Sequence, residues 1–214
     1  MGAKKYNIIY ADPPWNFNFH KRNLSQEALL NLYPTMKADE ILNLPVGDIA
    51  DSNCALFLWV MNSEIPLALN CIERWGFAYK TVAFVWVKTT ASGGYHFGGG
   101  NWTRSGSELC LLATKGKVKR VSASVSEIID SLIGKHSKKP DIVRDKIVEL
   151  CGDLPRVELF ARGTKDRDLF GYNKFDGWDL FGNQVENSID LKNSAQKKNS
   201  EALKQSTTPK VLNP

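Results

Sequence analysis

Four consecutive residues, Asp12-Pro13-Pro14-Trp15, follow directly on the apolar run Ile8-Ile9-Tyr10-Ala11. Their types suit one chemistry, methylation of an exocyclic amine. The nitrogen lone pair of such an amine on adenine is delocalised into the ring, so the group needs polarisation and aim more than deprotonation. The Asp12 carboxylate and the Pro13 carbonyl can accept its two N–H donors together, which favours a pyramidal nitrogen whose lone pair points at an incoming methyl. Each proline fixes its own φ, and Pro14 also keeps Pro13 out of the α region, so the carbonyl direction is held without the entropy of a flexible loop. Trp15 is expected to offer a stacking face for the base. At average residue usage the string arises by chance in on the order of one chain in a few thousand. It also stands at a strand's carboxyl end, where open α/β sheets bind ligands.

The elements that must position this turn read as an α/β protein with a largely parallel sheet, because apolar β-rich runs alternate with helical patterns. At least five strands are expected, over residues 7–11, 55–60, 81–87, 109–113 and 157–161. Helices are expected over 38–44, over 64–75, where Ile65, Leu69 and Ile72 recur at helical spacing, and over 142–150 after Pro140. Their apolar faces are expected to cover the sheet.

The chain has 214 residues, 43% of them hydrophobic and 24% charged, which suits one well-buried core and is small for two. Cys54, Cys71, Cys110 and Cys151 show no C-x-x-C spacing and only three histidines accompany them, so neither a disulfide framework nor a metal site is indicated. The first six residues lack the apolar stretch of a signal peptide, and no run reaches the roughly 18 apolar residues of a membrane span. A cytoplasmic protein without a membrane partner is the expectation. The net charge of +5 is spread over the chain. Its denser groups, at 20–22, 115–120 and 135–139, are candidates for neutralising phosphates.

Two stretches read as loops within the domain, from 16 to about 26 and from 89 to 107. The second holds Gly93-Gly94 and Gly98-Gly99-Gly100 around Tyr95, His96 and Phe97, then Asn101-Trp102-Thr103-Arg104. Its spacing is not a dinucleotide fingerprint. A mobile lid closing over an extruded base is expected there, with Trp102 and Arg104 as substrate contacts. Residues 1–185 form the expected domain, and 186–214, polar and without aromatics, form an expected disordered tail.

Beyond these local readings, the chain resembles the Asp-Pro-Pro-Trp, MT-A70-like family of N6-adenine methyltransferases, which holds the catalytic subunit of the eukaryotic messenger-RNA writer and many bacterial and phage DNA enzymes. Matching pieces are Ala11-Asp12-Pro13-Pro14-Trp15, Tyr33-Pro34-Thr35-Met36, Leu56-Phe57-Leu58-Trp59-Val60, Trp86-Val87-Lys88-Thr89, Lys139-Pro140-Asp141, Glu158-Leu159-Phe160-Ala161-Arg162 and Gly182-Asn183-Gln184. The resemblance spans about residues 6–185. It implies a Rossmann-like methyltransferase fold in permuted order, with S-adenosyl-L-methionine as methyl donor. It also implies that Lys139 pairs with the donor's carboxylate, that Phe160 and Arg162 lie at its ribose end, and that Asn183 and Gln184 bond its sugar and adenine edges. Asp12 would touch donor and target amine alike. Trp15 and Tyr33 complete the implied substrate contacts.

Direct in-line transfer without a covalent intermediate or a metal is the expected mechanism, on an adenine that is extruded or single-stranded. DNA is favoured over RNA, because the compact single-domain form resembles the bacterial and phage members. The alternatives are an RNA methyltransferase and a silent nucleic-acid-binding partner of the same fold. Monomer, homodimer and partner subunit all remain open.

Overall fold

The computed structural model describes residues 4–15, 36–100, 102–134, 138–163 and 173–191. Tyr33 and the basic residues at 20–22 lie outside them. In chain order the elements are β1 (Tyr6–Ala11), α1 (Ala38–Leu42), α2 (Val46–Ile49), β2 (Ala50–Val60), a 3-10 turn (Asn62–Glu64) running into α3 (Ile65–Arg74), β3 (Ala78–Thr89), β4 (Ser107–Lys115), β5 (Ile128–Leu132), α4 (Ile142–Cys151), β6 (Arg156–Leu159) and β7 (Trp178–Phe181).

The strands form one sheet in the order β5-β3-β4-β2-β1-β6-β7. β1 is parallel to both β2 and β6, β6 to β7 and β3 to β5, while β4 runs antiparallel to β2 and β3. This is the Rossmann-like, mostly parallel sheet that the resemblance implied. β1 is the point at which the connections turn from one half of the sheet to the other, the place where such sheets bind ligands. The directions also gather the carboxyl ends of β1, β3, β6 and β7 and the amino end of β4 along one edge.

Alternation explains the layers. On one face Ile9, Ala11, Leu56, Leu58 and Val60 pack with Ile41 of α1, Val46 and Ile49 of α2, and Ala68, Cys71 and Ile72 of α3. On the other, Ile8, Tyr10, Phe57, Trp59, Phe84 and Trp86 pack with Val143 and Ile147 of α4. β2 is buried from Cys54 through Val60, which is why it reads as a continuous apolar run and not as an alternation. The buried stripe of α3 follows i, i+3, i+4 spacing but is turned slightly from the expected one, leaving Leu69 39% exposed.

β5 and β7 were not expected. Both are edge strands, and only Ile129 of β5 is buried, so neither carries an apolar run of the usual length. The strand expected over 157–161 ends at Leu159 because Phe160 takes φ +62. Past the expected domain boundary at 185, Ser188 N donates to Leu180 O at 2.8 Å and Leu191 is fully buried, so packed chain continues through residue 191. No helix of the described residues is long and apolar enough to cross a membrane.

A buried ion pair ties α4 to the sheet. The Arg144 guanidinium donates from Nε and Nη2 to both Glu158 oxygens at 2.6 and 2.7 Å and from Nη1 to Asp141 Oδ1 at 2.9 Å. It lies 5.7 Å from the Tyr10 ring centre and 4.8 Å from that of Phe175. Arg144→Met, which strands a buried carboxylate, is expected to lower stability by about 3–5 kcal/mol, whereas Arg144→Met combined with Glu158→Leu should return close to wild type. Urea unfolding of both variants checks this; a double variant as unstable as the single one would contradict it.

Candidate active site

The turn after β1 is built from its own hydrogen bonds. Trp15 N donates to Pro13 O at 2.8 Å, closing a three-residue turn, and Met36 N donates to Pro14 O at 3.1 Å. Pro13 O keeps a second lone pair, and its direction is set by the two prolines. Trp15 departs from expectation. It is 3% exposed, packs among the core residues of the α1–α3 face, and donates from Nε1 to Trp59 O at 2.9 Å. Its ring has no free face for a base; it anchors the turn to the neighbouring strand instead.

Asp12 leaves the sheet at the end of β1 and meets Lys139, which lies 127 residues away just before α4. Lys139 Nζ donates to Asp12 Oδ1 at 2.8 Å and Oδ2 at 2.9 Å. The same ammonium lies 3.1 Å from Glu108 Oε2, and Glu108 Oε1 accepts from Lys88 Nζ at 2.5 Å. Two carboxylates and two ammoniums thus alternate along the sheet edge, with formal charges that cancel. Lys139 and Glu108 have side chains only 11% and 8% exposed, so the row is poorly screened by solvent.

Tryptophans floor this row. Lys139 Nζ sits 5.5 Å from the Trp59 ring centre and Lys88 Nζ 4.8 Å from that of Trp86. Trp59 Nε1 donates to Tyr10 OH at 2.7 Å, and the two indoles meet edge to face at 6.4 Å. Burial alone pulls the Lys139 ammonium down, but Asp12 and Glu108 outweigh it and hold Lys139 above the ordinary lysine range. Burial pushes Glu108 up, and Lys139 with Lys88 outweighs that and holds its carboxyl below the usual value.

The residues expected at the donor converge on the adjacent strand ends. Ala11 pairs with Leu159, so Asp12 and Phe160 leave the sheet side by side. Phe160 is a half-buried non-glycine residue at φ +62, a conformation costing about 1–3 kcal/mol and persisting only where its surroundings enforce it. Ala161 N donates to Phe181 O at 3.0 Å, and a Cβ on Gly182 would stand 2.3 Å from Ala161 O, so only glycine fits there. Arg162 forms a parallel bridge with Gln184, and Asn183 and Gln184 are exposed. Phe160, Arg162, Asn183 and Gln184 are therefore brought together beside Asp12 and Lys139.

Other expectations fall elsewhere. Trp102 and Arg104 are exposed on a hairpin beyond β3 and make no described contact with the charged row. The basic run 115–120 begins at the other end of the sheet: Lys115 pairs with Cys54 in the first half of β2, about 23 Å along β4 from Glu108 at the usual strand rise. Antiparallel β4 carries it there. Glu108, Lys88, Trp59 and Tyr10 were not among the expected site residues. The signal for Glu108 was present, since it is a charged residue entering an apolar strand and a buried charge requires a partner.

The MT-A70 family model matches residues 6–184. The chain is 33% identical over 209 residues to the type II methyltransferase M.MunI of a Mycoplasma species, covering 89% of this chain and 83% of that protein. It is 27% identical over 185 residues to the human N(6)-adenosine-methyltransferase catalytic subunit METTL3, covering 85% of this chain and 28% of that protein. It is also 28% identical over 206 residues to the Drosophila melanogaster non-catalytic subunit METTL14, covering 88% and 48% respectively.

The pKa directions fix a pH window for the charged row. Glu108 titrates below its ordinary 4.5, so its contribution is fully present above 4.5 and is lost as pH falls through its lower folded value. Lys139 titrates above its ordinary 10.5, so its contribution is fully present below 10.5 and is lost only as pH rises through its folded value. Glu108→Gln is expected to lower stability by about 2 kcal/mol across that window, with the difference closing below pH 4.5. Urea unfolding at a series of pH values measures it; a difference already closing near pH 6 would contradict the pairing.

Proposed function

The chain belongs to the MT-A70 family and is an N6-adenine methyltransferase, and on that premise we propose that it takes its methyl group from S-adenosylmethionine and delivers it to adenine in DNA. The observation that carries this reading is the Lys139 ammonium held on Asp12 at 2.8 and 2.9 Å, beside Phe160, Arg162, Asn183 and Gln184. Together these supply a desolvated cation for a carboxylate, a carboxylate for an ammonium, an aromatic face, and exposed carboxamides for hydroxyls and a heteroaromatic edge. That donor set fits a ligand that is an amino acid at one end and a nucleoside at the other. When bound, S-adenosylmethionine supplies a sulfonium-activated methyl group.

The chain's own residues then have separable tasks. Lys139 neutralises the amino-acid carboxylate, which draws its charge away from Asp12. Asp12, relieved of that neutralising ammonium, and Pro13 O accept the two N–H groups of the target amine. Asp12 also stabilises the positive charge that develops on the nitrogen during transfer. Glu108 and Lys88 keep Lys139 in place at no net change of charge. The pocket edge cannot be reached by a base stacked within a duplex, so the target adenine is extruded or unpaired. DNA is supported by the greater identity and fuller length match to the bacterial type II methyltransferase than to the eukaryotic adenosine enzymes.

Asp12→Ala is expected to reduce methyl transfer by at least about 100-fold while the chain stays folded, with a stability loss of about 2 kcal/mol like that of Glu108→Gln, because Lys139 loses one of its two carboxylates. Transfer of labelled methyl from S-adenosylmethionine to matched DNA and RNA oligonucleotides, with nucleoside analysis, checks both parts. N6-methyladenine in DNA is the expected product. Near wild-type transfer by Asp12→Ala would overturn the catalytic assignment, and product confined to RNA would overturn DNA. Intact DNA binding with neither donor binding nor transfer would indicate a silent partner like the non-catalytic METTL14 relative.

A further inference from the structure

Backbone hydrogen bonds tie the described residues of the hairpin between β3 and β4 together. Lys88 N donates to Gly106 O, His96 N to Lys88 O and Gly98 N to Ser105 O, at 2.8, 2.8 and 2.7 Å, while Thr89 bridges Tyr95. A Cβ at position 98 would lie 2.6 Å from Ser105 O, so the two sides of the arm meet backbone to backbone. On this framework Tyr95 is 69% exposed, Phe97 73% and Trp102 99%. Tyr95 and Phe97 stand on either side of the half-buried His96.

Three rings this exposed on one ordered arm call for a binding role. Their neighbours decide the kind. Apart from Ala91, the described residues from 90 to 106 carry no aliphatic side chain; they are glycines, hydroxyl residues, His96, the three aromatics and Arg104. A protein interface core adds methionine to its aromatics and is depleted of serine and alanine, and this arm has no methionine but holds Ala91, Ser92 and Ser105, whereas a surface for unpaired nucleic acid combines ring faces with an occasional guanidinium. The position agrees. His96 N donates to the backbone of Lys88, whose side chain is the outer member of the charged row, so the arm starts on the strand end that carries a site residue.

We propose that Tyr95, Phe97 and Trp102 form a stacking platform for the unpaired bases that flank the target adenine. The inference rests on the reading that the substrate is nucleic acid, and it assigns the arm to the neighbours of the target base. Stacking on such rings tolerates any base, so the platform grips the strand without reading its sequence, while Arg104 contacts phosphate.

The test measures affinity of the full chain for single-stranded DNA oligonucleotides holding one adenine, by fluorescence anisotropy, with methyl transfer followed in parallel. Trp102→Ala and Phe97→Ala are each expected to weaken binding roughly 5- to 150-fold for each base lost from a ring, with the salt dependence of binding unchanged. Arg104→Ala should instead reduce the salt slope by about one. On oligonucleotides whose flanking positions are abasic, the two aromatic variants should bind like wild type. Equal losses on abasic and intact strands would overturn the proposal, as would no loss on either. A change in sedimentation of Trp102→Ala, with DNA affinity intact, would make the arm a contact between protein chains and overturn it too. Platform behaviour in binding with no transfer by wild type would leave the platform standing and count against the proposed activity.

Discussion

A lysine ammonium shared between two carboxylates holds this molecule's working edge together. Lys139 draws Asp12 from the end of β1 and Glu108 from the start of β4 onto a single cation, and Lys88 balances the remaining charge. In a poorly solvated setting none of these groups is tolerable alone, so each depends on the others being in place. The arrangement requires β4 to enter the sheet antiparallel, because only then does its amino end reach the edge where the parallel strands finish. The sheet's mixed direction is in this sense a condition of the chemistry.

The hydrophobic core transmits its rigidity to that edge through polar atoms at the ends of aromatic side chains. Trp59 is the junction: its carbonyl accepts from Trp15, its indole N–H donates to Tyr10, and its ring lies beneath Lys139. Tyr10 in turn lies against Arg144, which bonds Asp141 two residues after Lys139 and Glu158 two residues before Phe160. The segments bearing Asp12, Lys139 and Phe160 are consequently referred to one another by buried contacts, as a site needs if its first ligands are to be held before substrate arrives.

Much of this was legible in the residues. The turn at Asp12 declared its chemistry through side-chain type and proline stiffness, and the alternating pattern disclosed the central strands. The resemblance carried Lys139, Phe160, Arg162, Asn183 and Gln184 to one edge, where the fold places them. What sequence could not supply was pairing between distant positions. Glu108 stands 31 residues before Lys139 in numbering yet shares its ammonium, and although a charge in an apolar strand requires a partner, nothing local says which residue it is. Strand direction was likewise hidden, so the residues did not show that β4 carries the start of the basic run 115–120 to the end of the sheet opposite Asp12. Trp15 was misjudged for another reason: an indole serves equally as stacking face or as core with one hydrogen bond, and only burial separates the two.

Lys139 is the group proposed to pass from Asp12 to the donor's carboxylate. A crystal structure of the full chain with S-adenosylhomocysteine tests this most directly. Lys139 Nζ is expected to bond the ligand's carboxylate, with at least one of its contacts with Asp12, at 2.8 and 2.9 Å, broken. Both contacts retained, with the ligand's carboxylate held by other residues, would contradict it.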